Sequence, residues 1–188
     1  MKYRESSQAG FTLLEIVTCI GIMAVVAAVT APVIAHAKHE SLVTKSLSNL
    51  HQMQVGLQLY RTEYDGDAKY GALSEMGLPP AEFVMLNRFG MSTSMWASPC
   101  GQNPNWESVP TVIQYDYLPD SGLDYFPSIA GVYQDGITVF SDMNCADHGD
   151  PLYSNYVDHL GLGVTLAGNL IKKRKAGDAR FQVWWARP

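Results

Sequence analysis

Residues 11–35 read FTLLEIVTCIGIMAVVAAVTAPVIA, a run of 25 mostly apolar residues that carries a single charge, Glu15. A helix rises about 1.5 Å per residue, so this run is long enough to cross a hydrocarbon layer of roughly 30 Å. A carboxylate inside such a span costs about 3 kcal/mol when it is unpaired. The run therefore predicts a membrane-spanning helix, and its one charge calls for an explanation.

The ten residues in front of this run, MKYRESSQAG, are polar, contain Lys2 and Arg4 and end in Gly10. Basic residues before an apolar span keep the N-terminus in the cytoplasm. An ordinary secretory signal peptide has its small-residue cleavage site after the apolar run. Here the small residue comes before the run, so we expect residues 1–10 to be a leader of a different kind.

The string Gly10-Phe11-Thr12-Leu13-Leu14-Glu15, between a basic leader and an uninterrupted span, resembles the N-terminus of type IV pilins and type II secretion pseudopilins. The resemblance covers residues 1 to about 65. It implies that a prepilin peptidase cuts between Gly10 and Phe11, that the new Phe11 amine is methylated, and that the apolar helix stays on the mature protein. It also makes Glu15 the acidic residue of the family.

The physics of Glu15 agrees with that resemblance. In a helical stack of subunits, the Glu15 carboxylate of one chain can pair with the Phe11 amine of its neighbour. An ion pair inside an apolar core costs much less than either charge alone, so the pair favours one axial register. The alternative is that Glu15 reaches the lipid headgroups and makes no specific contact.

Beyond the membrane the helix is predicted to continue as residues 36–66, with one apolar face. Its members recur at spacings of three and four, which is the pattern of an amphipathic helix. They are Leu42, Val43, Leu47, Leu50, Met53, Leu57, Tyr60 and Tyr64. Gly66, between Asp65 and Asp67, is a stop signal. His36, His39 and His51 lie on this segment, and we interpret them as solvated or interfacial residues, because no third metal ligand is evident.

Residues 67–188 are predicted to form a C-terminal head with an α+β fold, in which a small antiparallel sheet covers the apolar face of the helix. Residues 67–128 are rich in proline, with a short helix expected at 80–87 and a short strand at 109–117. Further strands are expected at 136–141, at 162–166, from 170 onward and at 181–185. Ala167-Gly168-Asn169 is a turn signal between two of them.

A second resemblance concerns residues 138–172, which look like the C-terminal part of pilin-like proteins of planctomycete-type bacteria. Their pattern is a strand that ends in an acidic residue, a loop, a His, and a hairpin with an Asp-Gly turn. Here the strand ends in Ser141-Asp142, the His is His159 or His148, and the turn is Gly168-Asn169. The turn lacks the Asp and the spacing is about one residue short, so we transfer no residue role from that family.

Cys100 and Cys145 both fall in the part expected outside the cytoplasm, where most bacteria are oxidising. We predict a disulfide between them, which would tie the irregular segment to the sheet and contribute about 3 to 4 kcal/mol. The alternative is two unpaired buried thiols.

An acidic loop follows the strand at 136–141 and contains Asp142, Asn144, Asp147, His148 and Asp150. Closely spaced oxygen ligands suit Ca²⁺, and some type II secretion pseudopilins hold calcium in this part of the chain. The spacing matches no EF-hand, however. We therefore expect a solvated loop and no cofactor, and we keep Asp142, Asn144, Asp147 and Asp150 as a candidate calcium site.

Two further features lie near the C-terminus. Lys172-Lys173-Arg174-Lys175 is predicted to be a solvated hairpin tip that also blocks edge pairing, with contact to acidic polymers or to a neighbouring subunit's acidic loop as the alternative. Trp184 and Trp185 are expected to point to opposite faces of a strand, one buried and one exposed.

Composition excludes several other functions. The formal charge of −5 argues against a nucleic-acid surface, and the chain has no nucleophile elbow, phosphate loop or zinc motif. We therefore predict a non-enzymatic, single-pass inner-membrane protein with its head outside the cytoplasm. Its expected partners are prepilin peptidase and other pilin or pseudopilin subunits. The competing hypothesis is a membrane-tethered module that binds a glycan or a protein.

Overall fold

The computed structural model describes residues 12–64, 66, 70–81, 85, 88–101, 115–120, 126–146, 158–179 and 182–186. The helices are α1 (Leu13–Glu63), α2 (Phe126–Tyr133) and α3 (Gln182–Trp185), and the strands are β1 (Asp116–Tyr117), β2 (Thr138–Asp142), β3 (His159–Thr165) and β4 (Leu170–Lys175). The long N-terminal helix and the antiparallel sheet confirm the predicted α+β, pilin-like layout. The chain divides into two compact units, Met1–Glu40 and Ser41–Pro188.

The second unit is built on the last part of α1. One stripe of this helix is buried and consists of Val43, Ser46, Leu50, Met53, Gln54, Gly56, Leu57 and Tyr60. Five residues of the predicted apolar face lie in this stripe, whereas Leu42 and Leu47 are half-buried and Tyr64 is 49% exposed. The helix ends at Glu63, and the Gly66 amide donates to the Arg61 carbonyl at 2.9 Å, so glycine follows the end of the helix as predicted.

The sheet has the order β1-β2-β3-β4, and all its neighbouring strands are antiparallel. Its last hairpin turns at residues 166–169, where Gly168 has φ +88°. The side-chain amides of Gln54 and Gln58 both donate to the Leu166 carbonyl, at 3.0 and 2.8 Å. These two bonds attach the hairpin to α1.

Opposite faces of the sheet are covered by different helices. Asp142 lies opposite Leu162 in the register and accepts a hydrogen bond from Ser46, so this face meets α1. On the other face, a Cβ at Gly161 or Gly163 would lie 2.6 or 2.8 Å from the indole rings of α3. The absence of side chains at these two glycines therefore leaves the space that α3 occupies.

The prediction of a strand at 181–185 was wrong, because Gln182–Trp185 is a helical turn. The aromatic run favoured a strand by propensity, but tertiary packing decides such short segments. Both indoles are buried, with Trp184 2% and Trp185 4% exposed, so the expectation of one exposed ring was also wrong. The Gln182 side chain bonds the N–H and the C=O of Thr138, at 2.9 and 2.6 Å, and holds the turn on the sheet.

The basic run was also misplaced. Residues 172–175 belong to β4 itself and do not form the hairpin tip. The tip lies four residues earlier, where Gly168 supplies the positive φ. The predicted strand at 109–117 is observed only as β1, because residues 109–114 lie outside the described residues, as does most of the helix expected at 80–87.

Candidate functional site

The first turn of α1 is organised by Thr12 and Glu15. The Glu15 Oε2 atom accepts hydrogen bonds from the Thr12 amide and the Thr12 hydroxyl, both at 2.8 Å. The Glu15 amide donates back to the Thr12 hydroxyl at 3.3 Å. This reciprocal arrangement is a capping box, which satisfies amides that a helix start leaves unpaired. Within one chain, the carboxylate is therefore held at the very start of the apolar helix.

The predicted cleavage and methylation site immediately precedes this turn. Gly10 and Phe11 lie outside the described residues, so the expected pair between Glu15 and a neighbour's Phe11 amine stays a prediction. The capping box nevertheless affects how many further hydrogen bonds Glu15 could accept in such a pair. A carboxylate can accept about four hydrogen bonds, and Thr12 supplies two of them. Glu15 thus keeps acceptor capacity for a further donor such as an amine.

The apolar part of α1 is exposed on every side. Its large side chains are between 51% and 83% exposed, from Ile16 at 51% to Leu13 at 83%. This helix is the one candidate membrane span among the described residues, and an 18-residue window of it has a mean hydropathy of 2.4. The hydroxyls of Thr18 and Thr30 bond back to carbonyls one turn earlier, at 3.0 Å in each case. Such polar groups are satisfied within the helix and leave its surface apolar.

Asp142 does not lie in a solvated loop, as sequence reasoning suggested, but is fully buried at the end of β2. Its Oδ2 atom accepts from the hydroxyls of Ser46 at 2.5 Å and Ser98 at 2.8 Å. Its Oδ1 atom accepts from the amide and the side chain of Asn144, at 2.9 and 2.8 Å. Burial raises the pKa of Asp142, and these donors act in the opposite direction.

The network extends from Asp142 to α1. The Tyr115 hydroxyl donates to Ser46 Oγ at 3.2 Å and accepts from Asn49 at 3.3 Å. Burial and the nearby Asp142 carboxylate both raise the pKa of Tyr115. Counting apolar residues alone does not predict this network, because Ser46 is polar. The one signal in the sequence is that Ser46 lies at a position which the helical periodicity assigns to the core.

Cys100 and Cys145, the pair predicted to be bonded, form a disulfide with a Cα–Cα distance of 5.1 Å. The bond lies beside the buried carboxylate, because Ser98 and Asn144 flank the two cysteines in sequence and both donate to Asp142. The disulfide and the carboxylate therefore attach the same segment, residues 98–101, to the sheet.

The candidate calcium ligands are not described as a group. Asp147 and Asp150 lie outside the described residues, and the oxygens of Asp142 are already accepting four bonds from protein donors. Within the described part of the chain, no three His, Cys, Asp or Glu side chains are grouped as metal ligands would be. Calcium binding stays a hypothesis that depends on residues 147–150.

The histidines occupy different environments. On α1, His36 and His51 are exposed and His39 is half-buried. His159 begins β3 and is fully buried, and its ring stacks on Trp184 at 5.3 Å between ring centres. Asp142 and His159 are two of the residues that the C-terminal resemblance singled out. Both are buried, Asp142 at the end of β2 and His159 at the start of β3.

Comparison with known protein families finds a match at the N-terminal end of the chain. A family model described as the prokaryotic N-terminal methylation motif matches residues 6–31. No curated protein and no solved structure matched the chain. The match covers the second half of the predicted leader and most of the apolar part of α1. The chain thus carries a prepilin-type N-terminal motif, and its long N-terminal helix with an antiparallel sheet fits a pilin-like layout.

Proposed function

We propose that this protein is a structural subunit of a type IV pilus or of a type II secretion pseudopilus. It is made as a precursor, cut after Gly10 by prepilin peptidase and methylated on Phe11. It stays in the inner membrane as a single-pass protein with its head outside the cytoplasm. Subunits then assemble by packing of their apolar helices and by the pair between Glu15 and the Phe11 amine of a neighbour.

The observation that carries this proposal is an apolar helix with one carboxylate held at its start. The exposed side chains of residues 13–35 have no partner surface in the described chain, so lipid or other subunits must cover them. A simple anchor would also be apolar, and it would gain only the capping box from Glu15, which an uncharged Gln could also complete. The charge itself is offset within an apolar layer where another molecule brings a cation to the same depth.

The capping box bears on how the charge is used. The Glu15 carboxylate is bonded to Thr12, which directly follows in sequence the residue whose amine cleavage would create. In an apolar environment, a neighbour's amine would be neutralised there without a large rearrangement of the helix. The pair would then fix the axial register of one subunit against the next.

The membrane-tethered binding module is the second candidate, and one feature of the head favours it. An open groove of about 270 Å³ is lined by Tyr60, Tyr64, Leu73, Ser74, Gly77, Leu78 and Pro80. The rings of Tyr60 and Tyr64 stack 4.3 Å apart, and Tyr64 is half exposed. Exposed aromatic rings beside a groove are suited to an apolar or a sugar surface.

Substitution of Glu15 separates the two functions. Glu15→Gln keeps a side chain that can complete the capping box but removes the charge. Glu15→Ala removes both, Glu15→Asp keeps the charge, and Glu63→Ala is a matched control at an exposed position on the same helix. The readouts are N-terminal processing, membrane retention and filament formation in the native cells.

We expect Glu15→Ala and Glu15→Gln to be cleaved and retained in the membrane but to form no filaments. Glu15→Asp should retain part of the assembly, and Glu63→Ala should assemble normally. If Glu15→Gln formed filaments at the normal level, the charge pair would be excluded. If every variant behaved like the unaltered protein and no filament contained the chain, the tethered module would be the better account.

A further inference from the structure

The two sulfurs of the Cys100–Cys145 disulfide differ in burial. Cys145 is 1% exposed, whereas Cys100 is half-buried and is followed by the exposed Gly101. A Cβ added at Gly101 would meet no atom within 4 Å, so there is open space beside Cys100. Access helps to decide which sulfur of a disulfide reacts, and an external reagent therefore reaches this bond from the Cys100 side.

A buried carboxylate lies against the inner sulfur of this disulfide. The Asp142 Oδ2 atom is 3.8 Å from Cys145 Sγ. A disulfide sulfur carries no proton, so the two atoms are in contact here without a hydrogen bond. Once the disulfide is reduced, the Cys145 thiol has a proton that it can donate to this oxygen as a weak hydrogen bond. The carboxylate therefore lies where a proton appears each time the disulfide is opened.

Protein donors from separate parts of the chain hold the carboxylate in this position. The Ser46 hydroxyl on α1 and the Ser98 hydroxyl both donate to Oδ2 of Asp142, and Asn144 donates twice to Oδ1. Among the described residues of this network, Tyr115 is the other titratable group outside the disulfide, and its hydroxyl donates to Ser46. The contact with the sulfur is therefore fixed by the fold and does not depend on a freely rotating side chain.

The environment of Asp142 also suits proton transfer. Burial raises the pKa of Asp142 above its usual value, while its hydrogen-bond donors act in the opposite direction. A carboxyl group whose pKa is closer to neutrality takes up and returns a proton more readily at physiological pH. A thiol reacts with a disulfide only as its thiolate, so a cysteine that is 1% exposed benefits from a proton acceptor in contact with it.

We propose that Asp142 takes the proton of the Cys145 thiol when this disulfide forms and returns it when the disulfide is reduced. Cys100 is the sulfur that exchanges with the external group. That group is a reactive disulfide in the first direction and a thiol in the second. The inference goes beyond the proposed filament function and does not depend on it, because it concerns the chemistry of the head alone.

Formation of the disulfide takes two exchanges. The Cys100 thiolate attacks an external disulfide R–S–S–R, which forms a Cys100–S–S–R bond and releases one R–S⁻ thiolate. The Cys145 thiol then gives its proton to the Asp142 carboxylate while its sulfur attacks Cys100 Sγ, and the second R–S⁻ leaves. Two protein thiols are oxidised and one external disulfide is reduced. The two protons that the cysteines lose equal those that the two released thiolates take up.

The second exchange can be timed in the full chain in detergent, with Cys19→Ser present so that only the two head cysteines react. The reduced protein is mixed with glutathione disulfide, the reaction is stopped with acid, and intact mass counts the chains that carry one glutathione. Between pH 8 and pH 6 an unaided thiol loses about a hundredfold in rate, because only its thiolate reacts. The unaltered head should lose about tenfold or less, since Asp142 accepts the proton.

One substitution and its matched control assign this effect to the carboxylate. Asp142→Asn should lose about a hundredfold between pH 8 and pH 6, and at pH 6 it should be about tenfold or more slower than the unaltered head. Asp158→Asn, the same change at an exposed position, should keep the profile of the unaltered head. Tryptophan fluorescence establishes that each variant is folded before its rate is measured.

Single cysteine variants test the role of each sulfur. In Cys145→Ser, glutathione should join Cys100 and stay there, because no second thiol displaces it. In Cys100→Ser, the Cys145 thiol should take up glutathione about tenfold or more slowly, because it is buried. Equal rates in these two variants would overturn the assignment of Cys100 as the exchanging sulfur.

The pH profile decides the role of Asp142. A loss of about a hundredfold in the unaltered head, equal to that in Asp142→Asn, would overturn the proposal. If Asp142→Asn does not fold, the profile of the unaltered head is still decisive, because a loss of about a hundredfold there excludes a proton acceptor at Cys145. A shallow profile that becomes steep only in Asp142→Asn would support it. N-terminal processing and filament formation are measured separately, so the proposed function can fail or hold independently of this result.

Discussion

The two parts of α1 have the same secondary structure but opposite relations to the rest of the chain. Large side chains in residues 13–35 are all at least half exposed, whereas Val43, Leu50, Met53 and Leu57 are at most 1% exposed. A helix buries an apolar surface somewhere, because water disfavours it. The second part does so against its own head. The first part leaves its surface exposed, and that difference is the physical basis for proposing an assembling, membrane-inserted subunit.

The sharpest test of this comparison deletes the same type of side chain at a buried and at an exposed position. Leu50→Ala should lower the free energy of unfolding of the head by about 2 to 5 kcal/mol, because a fully buried leucine leaves a cavity. Denaturation of the full chain in detergent, followed by tryptophan fluorescence, measures this. Leu59→Ala, at a 52% exposed position, and Val29→Ala, in the apolar part, should each change it by less than about 0.5 kcal/mol. Equal effects at all three positions would remove the distinction between the two parts of the helix.

The disulfide tests how far the head depends on covalent attachment beyond α1. Replacement of Cys100 and Cys145 by serine should destabilise the head by about 3 to 4 kcal/mol, because a crosslink across 45 residues restricts the unfolded chain. Cys19→Ser, which removes an exposed free thiol, is the control and should leave the unfolding curve unchanged. An unchanged curve for the double serine variant would mean that the Asp142 network alone holds the segment.

Gly163→Ala tests the opposite face of the sheet. The added methyl group would lie 2.8 Å from the Trp185 ring, so the ring or the strand must move, at a cost of about 1 to 3 kcal/mol. Gly131→Ala, where a methyl group meets no atom within 4 Å, should be neutral or stabilising by up to about 1 kcal/mol. A neutral Gly163→Ala variant would show that α3 does not press on the sheet.

The smallest expected effect is a pH dependence of the free energy of unfolding that Asp142 causes. Its pKa is raised above the usual value of 3.8, so the folded head favours the protonated carboxyl. The advantage of the unaltered protein over Asp142→Asn should therefore be greatest below about pH 4. It should decrease as pH rises through the raised pKa, by at most about 1.4 kcal/mol per pH unit. Unfolding of both proteins between pH 3 and 8 measures this, and a constant difference would contradict it.

Several features of the fold could be predicted because local rules decide them. The apolar length of residues 11–35, the three-and-four spacing after Val43, and the turn at Gly168-Asn169 each depend on a few neighbouring residues. The C-terminal turn could not be predicted in this way. Its aromatic residues favour a strand locally, and only the space above Gly161 and Gly163, on a distant strand, makes a buried helical turn the better structure.

The candidate functional site likewise has one part that local sequence predicts and one part that it does not. Thr12 and Glu15 are three residues apart, so their capping box follows from the sequence, even though the resemblance drew attention only to the carboxylate. The surroundings of Asp142 do not follow from it, because Ser46 and Ser98 are 96 and 44 residues away. A carboxylate in an acidic run was interpreted as a solvated residue, and only the packing of three segments shows it to be buried.

The most direct measurement is the intact mass and N-terminal sequence of the protein recovered from bacterial membranes. The account predicts a chain that begins at Phe11 with a methylated amine, because that amine is the proposed partner of Glu15. A chain that still begins at Met1 would make residues 11–35 a plain anchor and contradict assembly into a filament. A cut after residue 35 would also contradict it, because the assembly helix would then be lost from the mature protein.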